Sequence, residues 1–127
     1  MSQDKRYAFS VKVETAFVPE QSDVEQNRYV FSYTIRIENI GNVAAQLISR
    51  HWIITDAAGK TQEVRGLGVV GQQPLLKPGE HFQYTSGTML DTPVGEMRGF
   101  YHITAEDGTQ FDSEVAPFKL NMPRVLH

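Results

Sequence analysis

The 127-residue chain contains no cysteine, which excludes disulfides, thiolate nucleophiles and Cys-ligated zinc. That absence fits a reducing compartment, so the expected location is the cytoplasm. There is no apolar run of the roughly 18 residues that a membrane helix needs. The polar start Met1-Ser2-Gln3-Asp4-Lys5-Arg6 passes directly into a strand pattern, so neither a signal peptide nor a membrane span is expected. Charge of one sign is also scarce. Twelve Lys and Arg against fifteen Asp and Glu give a net −3 at pH 7, and their scatter offers no strong field for nucleic acid or an anionic membrane. Helical periodicity, repeats and low-complexity segments are absent. The serines and threonines lack a sharp strand-to-helix elbow, and no carboxylate pair marks a cleft, so no enzyme class and no cofactor is expected.

What the chain does have is aromatic residues, seven Phe, five Tyr and one Trp, and alternation with a period of two. Phe9, Val11, Val13, Thr15 and Phe17 face one way and Ser10, Lys12 and Glu14 the other. Pro19 to Asn27 reads as a solvated connection. Tyr29, Phe31, Tyr33, Ile35 and Ile37 then alternate with Val30, Ser32, Thr34, Arg36 and Glu38, the pattern of a half-buried strand with a polar outer face. Asn39-Ile40-Gly41-Asn42 supplies turn residues that tolerate positive φ. Further strands are expected at Ala45 to Thr55, Thr61 to Arg65, His81 to Thr85, Val94 to Glu106 and Gln110 to Leu120. The Asp107-Gly108 pair suggests a type I′ hairpin, and Leu76-Lys77-Pro78-Gly79-Glu80 a Pro-Gly turn. The expected fold is all-β, one antiparallel two-sheet sandwich of about seven or eight strands spanning 1–127. Its structured part covers about 6–120, with 121–127 a loose tail.

Several segments resemble the bacterial ApaG (CorD) family. They are Val13-Glu14-Thr15, Tyr33-Thr34-Ile35-Arg36-Ile37-Glu38-Asn39, the stretch from Gly66 to Pro74, Leu76-Lys77-Pro78-Gly79-Glu80, Gly87-Thr88, Gly95 to Tyr101 and Phe118-Lys119-Leu120. The resemblance covers almost the whole chain and implies a fibronectin type III-like (immunoglobulin-like) sandwich. It also implies links by gene neighbourhood to a diadenosine tetraphosphate hydrolase and by phenotype to cobalt and magnesium tolerance. Eukaryotic counterparts are fused into F-box and polymerase-interacting proteins. These associations point to recognition more than to a reaction, and the fold itself supplies no function.

Gly66, Gly68 and Gly71 fit G-x-G-x-x-G, a spacing that lets backbone N–H groups approach a pyrophosphate when a helix follows. Here Gln72-Gln73-Pro74 and a Pro-Gly turn follow instead, so the dinucleotide-binding explanation fails. Two readings stay open. The glycines shape a turn between strands, or a helix-free nest of amides beside Arg65 holds an anion such as ATP or diadenosine tetraphosphate. Arg65, Gly66, Gly68 and Gly71 are therefore the candidate anion-binding or partner-binding loop. His51, His81, His102 and His127 lack the spacing of a metal site, and His102 and Glu106 would stand about 13 Å apart along a strand. Trp52 reads as a core residue, with Arg50 on the same face stretching its stem to the rim. If the faces carrying Phe100 and His102 are uncovered, they form an apolar patch for a protein partner, and a non-enzymatic interaction module is the preferred reading.

Overall fold

The computed structural model describes residues 5–123. Eight strands follow in order: β1 (Phe9–Phe17), β2 (Tyr29–Asn39), β3 (Ala45–Asp56), β4 (Thr61–Leu67), β5 (Leu75–Leu76), β6 (His81–Leu90), β7 (Val94–Ala105) and β8 (Gln110–Asn121). They form two antiparallel sheets, one ordered β1-β2-β6 and one ordered β4-β3-β7-β8, with β5 also paired to β3. Between β1 and β2 the solvated connection contains two 3-10 turns, Pro19–Gln21 and Val24–Gln26. No helix among the described residues is long and apolar enough to cross a membrane.

The alternation in β2 is realised residue by residue: Tyr29, Phe31, Tyr33, Ile35 and Ile37 are buried and the intervening side chains are half-exposed. Facing them across the sandwich, Trp52 is 2% exposed and packs edge-on against Tyr33, Tyr101 and Phe118. Tyr84 of one sheet and Tyr101 of the other share a hydrogen bond of 2.5 Å inside this core. Burial pushes both phenols well above the usual tyrosine range. On one side of the sandwich β1 and β8 abut, joined by the Phe9–Phe111 ring contact and a bond from Thr15 Oγ1 to the Lys119 carbonyl.

Several local expectations change. β6 runs to Leu90, beyond the expected Thr85, because Ser86-Gly87-Thr88 carries little strand signal of its own but pairs in unbroken register with Phe31 to Tyr33. Asn39 is no turn residue: it ends β2, is 1% exposed and has an ordinary φ. Gly41 also lacks a positive φ, and it is small because the Arg6 carbonyl would lie 2.3 Å from any Cβ there. The β7–β8 hairpin has positive φ only at Gly108, so it is not the type I′ turn the Asp-Gly pair suggested. Gly108 N–H donates to the Ala105 carbonyl and Ala105 N–H to that of Thr109, while Asp107 Oδ1 accepts the Thr109 N–H. The exposed Asp107 carboxyl is held below the usual carboxylate range, first by the Tyr7 hydroxyl that donates to it and then by Thr109. At the chain end, Asn121 pairs with Val94 and Met122 N–H donates to the Pro93 carbonyl, so the ladder extends past the expected boundary. Residues 124–127 of the expected tail lie outside the described residues.

Candidate functional site

The site is built on an irregularity in β3. Leu47 lies opposite Ile103 but Ser49 lies opposite His102, so Ile48 is an extra residue and the strand bulges there. The bulge turns the Ile48 carbonyl toward the segment after β4, where it accepts the Gly68 N–H at 2.8 Å and Gln73 Nε2 at 2.9 Å. Gln46 Nε2 donates to the Gln73 carbonyl and Leu47 N–H to that of Pro74, both at 3.0 Å. Residues 68–74 are thereby fixed along the edge of β3.

Arg50 completes the anchorage. It shares the inward face with Trp52 and Tyr101, and its stem carries the guanidinium out to the rim, where Nη1 donates to the carbonyls of Leu67 (3.1 Å) and Gly68 (2.9 Å). Within the loop Val69 is fully buried and exchanges both backbone hydrogen bonds with Gln72. Val70 (φ +44°) and Gly71 (φ +79°) form the two-residue tip, with the paired positive φ angles of a type I′ turn. A β-branched side chain is costly in that conformation, by about 1–3 kcal/mol, and Val70 is nonetheless 52% exposed.

The four residues singled out from the sequence are thus divided. Arg65 and Gly66 belong to β4 and not to the loop. Arg65 lies on the outer face in an ion pair with Glu63 at 3.3 Å. Gly66 has an ordinary φ and is bare because the Arg50 guanidinium lies against it. Gly68 needs both its φ of +64° and the missing Cβ, which would stand 2.3 Å from the Gln72 carbonyl, and Gly71 needs only its φ. The amides of Gly68, Val69 and Gln72 donate to carbonyls of the chain itself, and two carbonyls at the base of the loop face a cation.

On the outer face of the five-stranded sheet, register aligns two rows across four strands. Arg65, His51, Phe100 and Glu114 form one, and Leu67, Ser49, His102 and Asp112 the other. All of these but Glu114 line a shallow cleft of about 610 Å³. Two of the histidines that look scattered in the chain, His51 and His102, therefore line one cleft from diagonal positions on β3 and β7, and no local pattern in the sequence marks the bulge that brings this about. Each has its own carboxylate: His51 Nε2 lies 3.3 Å from Glu63 Oε2, and His102 Nδ1 lies 2.9 Å from Asp112 Oδ1. Among the described residues no three His, Asp or Glu side chains converge as a metal site would require. His81 is exposed at the start of β6, and His127 lies outside the described residues.

Sequence reasoning missed the apolar ridge beside this cleft. Leu67 (74% exposed) and Leu75 (59%) pair with Ser49 and Gln46 along the same edge of β3, and Val70 stands on the turn between them. Phe100, expected to carry an apolar patch, is half-buried under His51, their rings 6.2 Å apart.

Residues 19–105 match the ApaG domain. The Protein ApaG of Methylobacillus flagellatus is 89% identical over 127 residues, the full length of both chains, and that of Thiobacillus denitrificans 61% identical over the same span. A crystal structure of an ApaA protein from Bordetella pertussis is 60% identical with a TM-score of 0.92, covering 95% of this chain and 98% of its own. A second X-ray structure, from a structural genomics programme, is 51% identical with a TM-score of 0.87, covering 94% and 90%.

Proposed function

The chain belongs to the ApaG domain family, and on that premise we propose that it is a non-enzymatic recognition domain that binds a protein partner through the ridge of Leu67, Val70 and Leu75. The observation that carries this reading is the cost of the ridge. Apolar side chains that stay in water forgo the burial that normally stabilises them, and Val70 adds backbone strain. The loop is nonetheless held by the Ile48 carbonyl, Arg50 and Gln46, which keeps the ridge preorganised and lowers the ordering cost of docking. The adjoining cleft supplies a polar rim of His51, Arg65 and His102 to an apolar centre, the usual anatomy of a protein interface. Any bearing on cobalt or magnesium tolerance would then run through the partner.

Nucleotide polyphosphate binding at Gly66 to Gly71 is the competing reading, and one experiment separates the two. A photo-crosslinker at Val70 is used in cells to capture contacts, beside a backbone amide NMR titration with ATP and diadenosine tetraphosphate. A specific protein adduct that is lost in the Leu67→Ser, Leu75→Ser variant, with no amide shifts from Arg65 to Gln73, supports partner recognition. Saturable shifts confined to that loop, or turnover of either nucleotide, would overturn it.

A further inference from the structure

Five strands have a free edge; β5 is only two residues long, too short to template another chain, and three of the other four are guarded against pairing. β1 carries Lys12 and Glu14, β4 carries Glu63 and Arg65, and β8 carries Asp112, Glu114, Pro117 and Lys119. β6 is different. Over ten residues, His-Phe-Gln-Tyr-Thr-Ser-Gly-Thr-Met-Leu, it has no acid, lysine, arginine or proline, and its register with β2 is unbroken. Val18 N–H donates to the Val30 carbonyl, and Asn39 N–H donates to the Glu80 carbonyl. The odd residues of β2 therefore bond to the even residues of β6, and the odd residues of β6 turn their N–H and C=O groups to the free edge. Those residues, His81, Gln83, Thr85, Gly87 and Met89, are all exposed.

We propose that this edge pairs with the β6 edge of a second copy of the chain, antiparallel about a two-fold axis through Thr85, joining two three-stranded sheets into one of six strands. The side-chain pattern is self-complementary in that register. Thr85 meets Thr85, Gln83 of one copy meets Gly87 of the other, and His81 meets Met89, so no two carboxylates or permanent cations face each other. Thr34 and Thr85 already share a hydroxyl hydrogen bond of 2.8 Å across β2 and β6, and the axis extends that row through both copies. Each matched pair of odd residues supplies two backbone hydrogen bonds, whereas the charges on the three guarded edges oppose such pairing. The contact is narrow, so the dimer is weak and its population rises with concentration.

Sedimentation velocity across a concentration series tests this. The wild type is expected to double its apparent mass toward about 1 mM, the weak end of specific association. Thr85→Pro removes an N–H that points away from β2 and the exposed hydroxyl bond to Thr34 but leaves the backbone ladder to β2 intact, so the fold is kept and the dimer lost. Should that variant fail to fold, Thr85→Lys sets two lysines against each other on the axis and serves as well. Mixing Thr85→Lys with Thr85→Glu is expected to restore association. A wild type that stays monomeric throughout, or a dimer that persists in the lysine variant, overturns the proposal.

Discussion

The Arg50 guanidinium lies against the bare Cα of Gly66, so close that a Cβ on Gly66 would stand 2.8 Å from Nη1. One arginine stem thus leaves the core beside Trp52, crosses the rim under β4 and binds the carbonyls from which the apolar loop departs. Core, glycine pattern and exposed ridge are parts of one arrangement, and the arginine belongs to it as much as the glycines do.

Because each glycine is needed for a different reason, alanine should have graded effects. Gly68→Ala meets a backbone carbonyl at 2.3 Å and a positive φ, so it should cost roughly 2–3 kcal/mol. Gly66→Ala meets only the movable end of Arg50, which can shift aside and keep part of its bonding, and should cost about 1 kcal/mol, the net worth of one typical hydrogen bond. Urea midpoints of the two variants check the order, and equal costs would contradict it.

Val70→Asn should raise stability by about 0.5–1 kcal/mol, since asparagine is at ease in the left-handed region that a type I′ turn imposes on that position. If the ridge binds a partner, the same change should weaken capture while the melting temperature rises. A gain in stability with no change in capture would separate the strain from recognition.

Asn39 marks the limit of what the chain alone reveals. The strands were legible because alternation in β2 encodes burial on one face, and the two-sheet fold follows from that pattern. Positions set by distant backbone were not. Asn39, Gly41 and Gly66 read as turn or loop residues, yet their roles come from Val43 and Leu76, from Arg6 and from Arg50 respectively. The candidate site was half legible. Its glycines and Arg65 stand out by type, but the Ile48 bulge that sets His51 on the same face as His102 and seats the loop leaves no local pattern.

Asn39 Nδ2 donates to the Val43 and Leu76 carbonyls, both at 2.9 Å, and Oδ1 accepts the Gly41 N–H at 2.9 Å. Asn39→Asp would set a carboxylate oxygen against two buried carbonyls. It should cost about 3 kcal/mol or more at pH 7, and less in acid, where a protonated carboxyl donates to one of them. Stability measured at pH 7 and near pH 4 checks the sign.

The buried pair Tyr84 and Tyr101 should set the alkaline limit of the fold. Both phenols are raised by burial above their ordinary value, so the folded state favours the protonated form. Their contribution is complete below about pH 10, the unfolded tyrosine value, and is lost as pH climbs above it. Ultraviolet titration should therefore show no phenolate signal from Tyr84 and Tyr101 until the protein unfolds, and the Tyr84→Phe, Tyr101→Phe variant identifies the signal that is missing. Tyr84→Phe alone strands the Tyr101 hydroxyl in the core and should cost about 1–3 kcal/mol. The double change to Phe removes donor and acceptor together, so its cost should fall well short of the sum of the single changes. Additive costs would show that the 2.5 Å bond contributes nothing of its own.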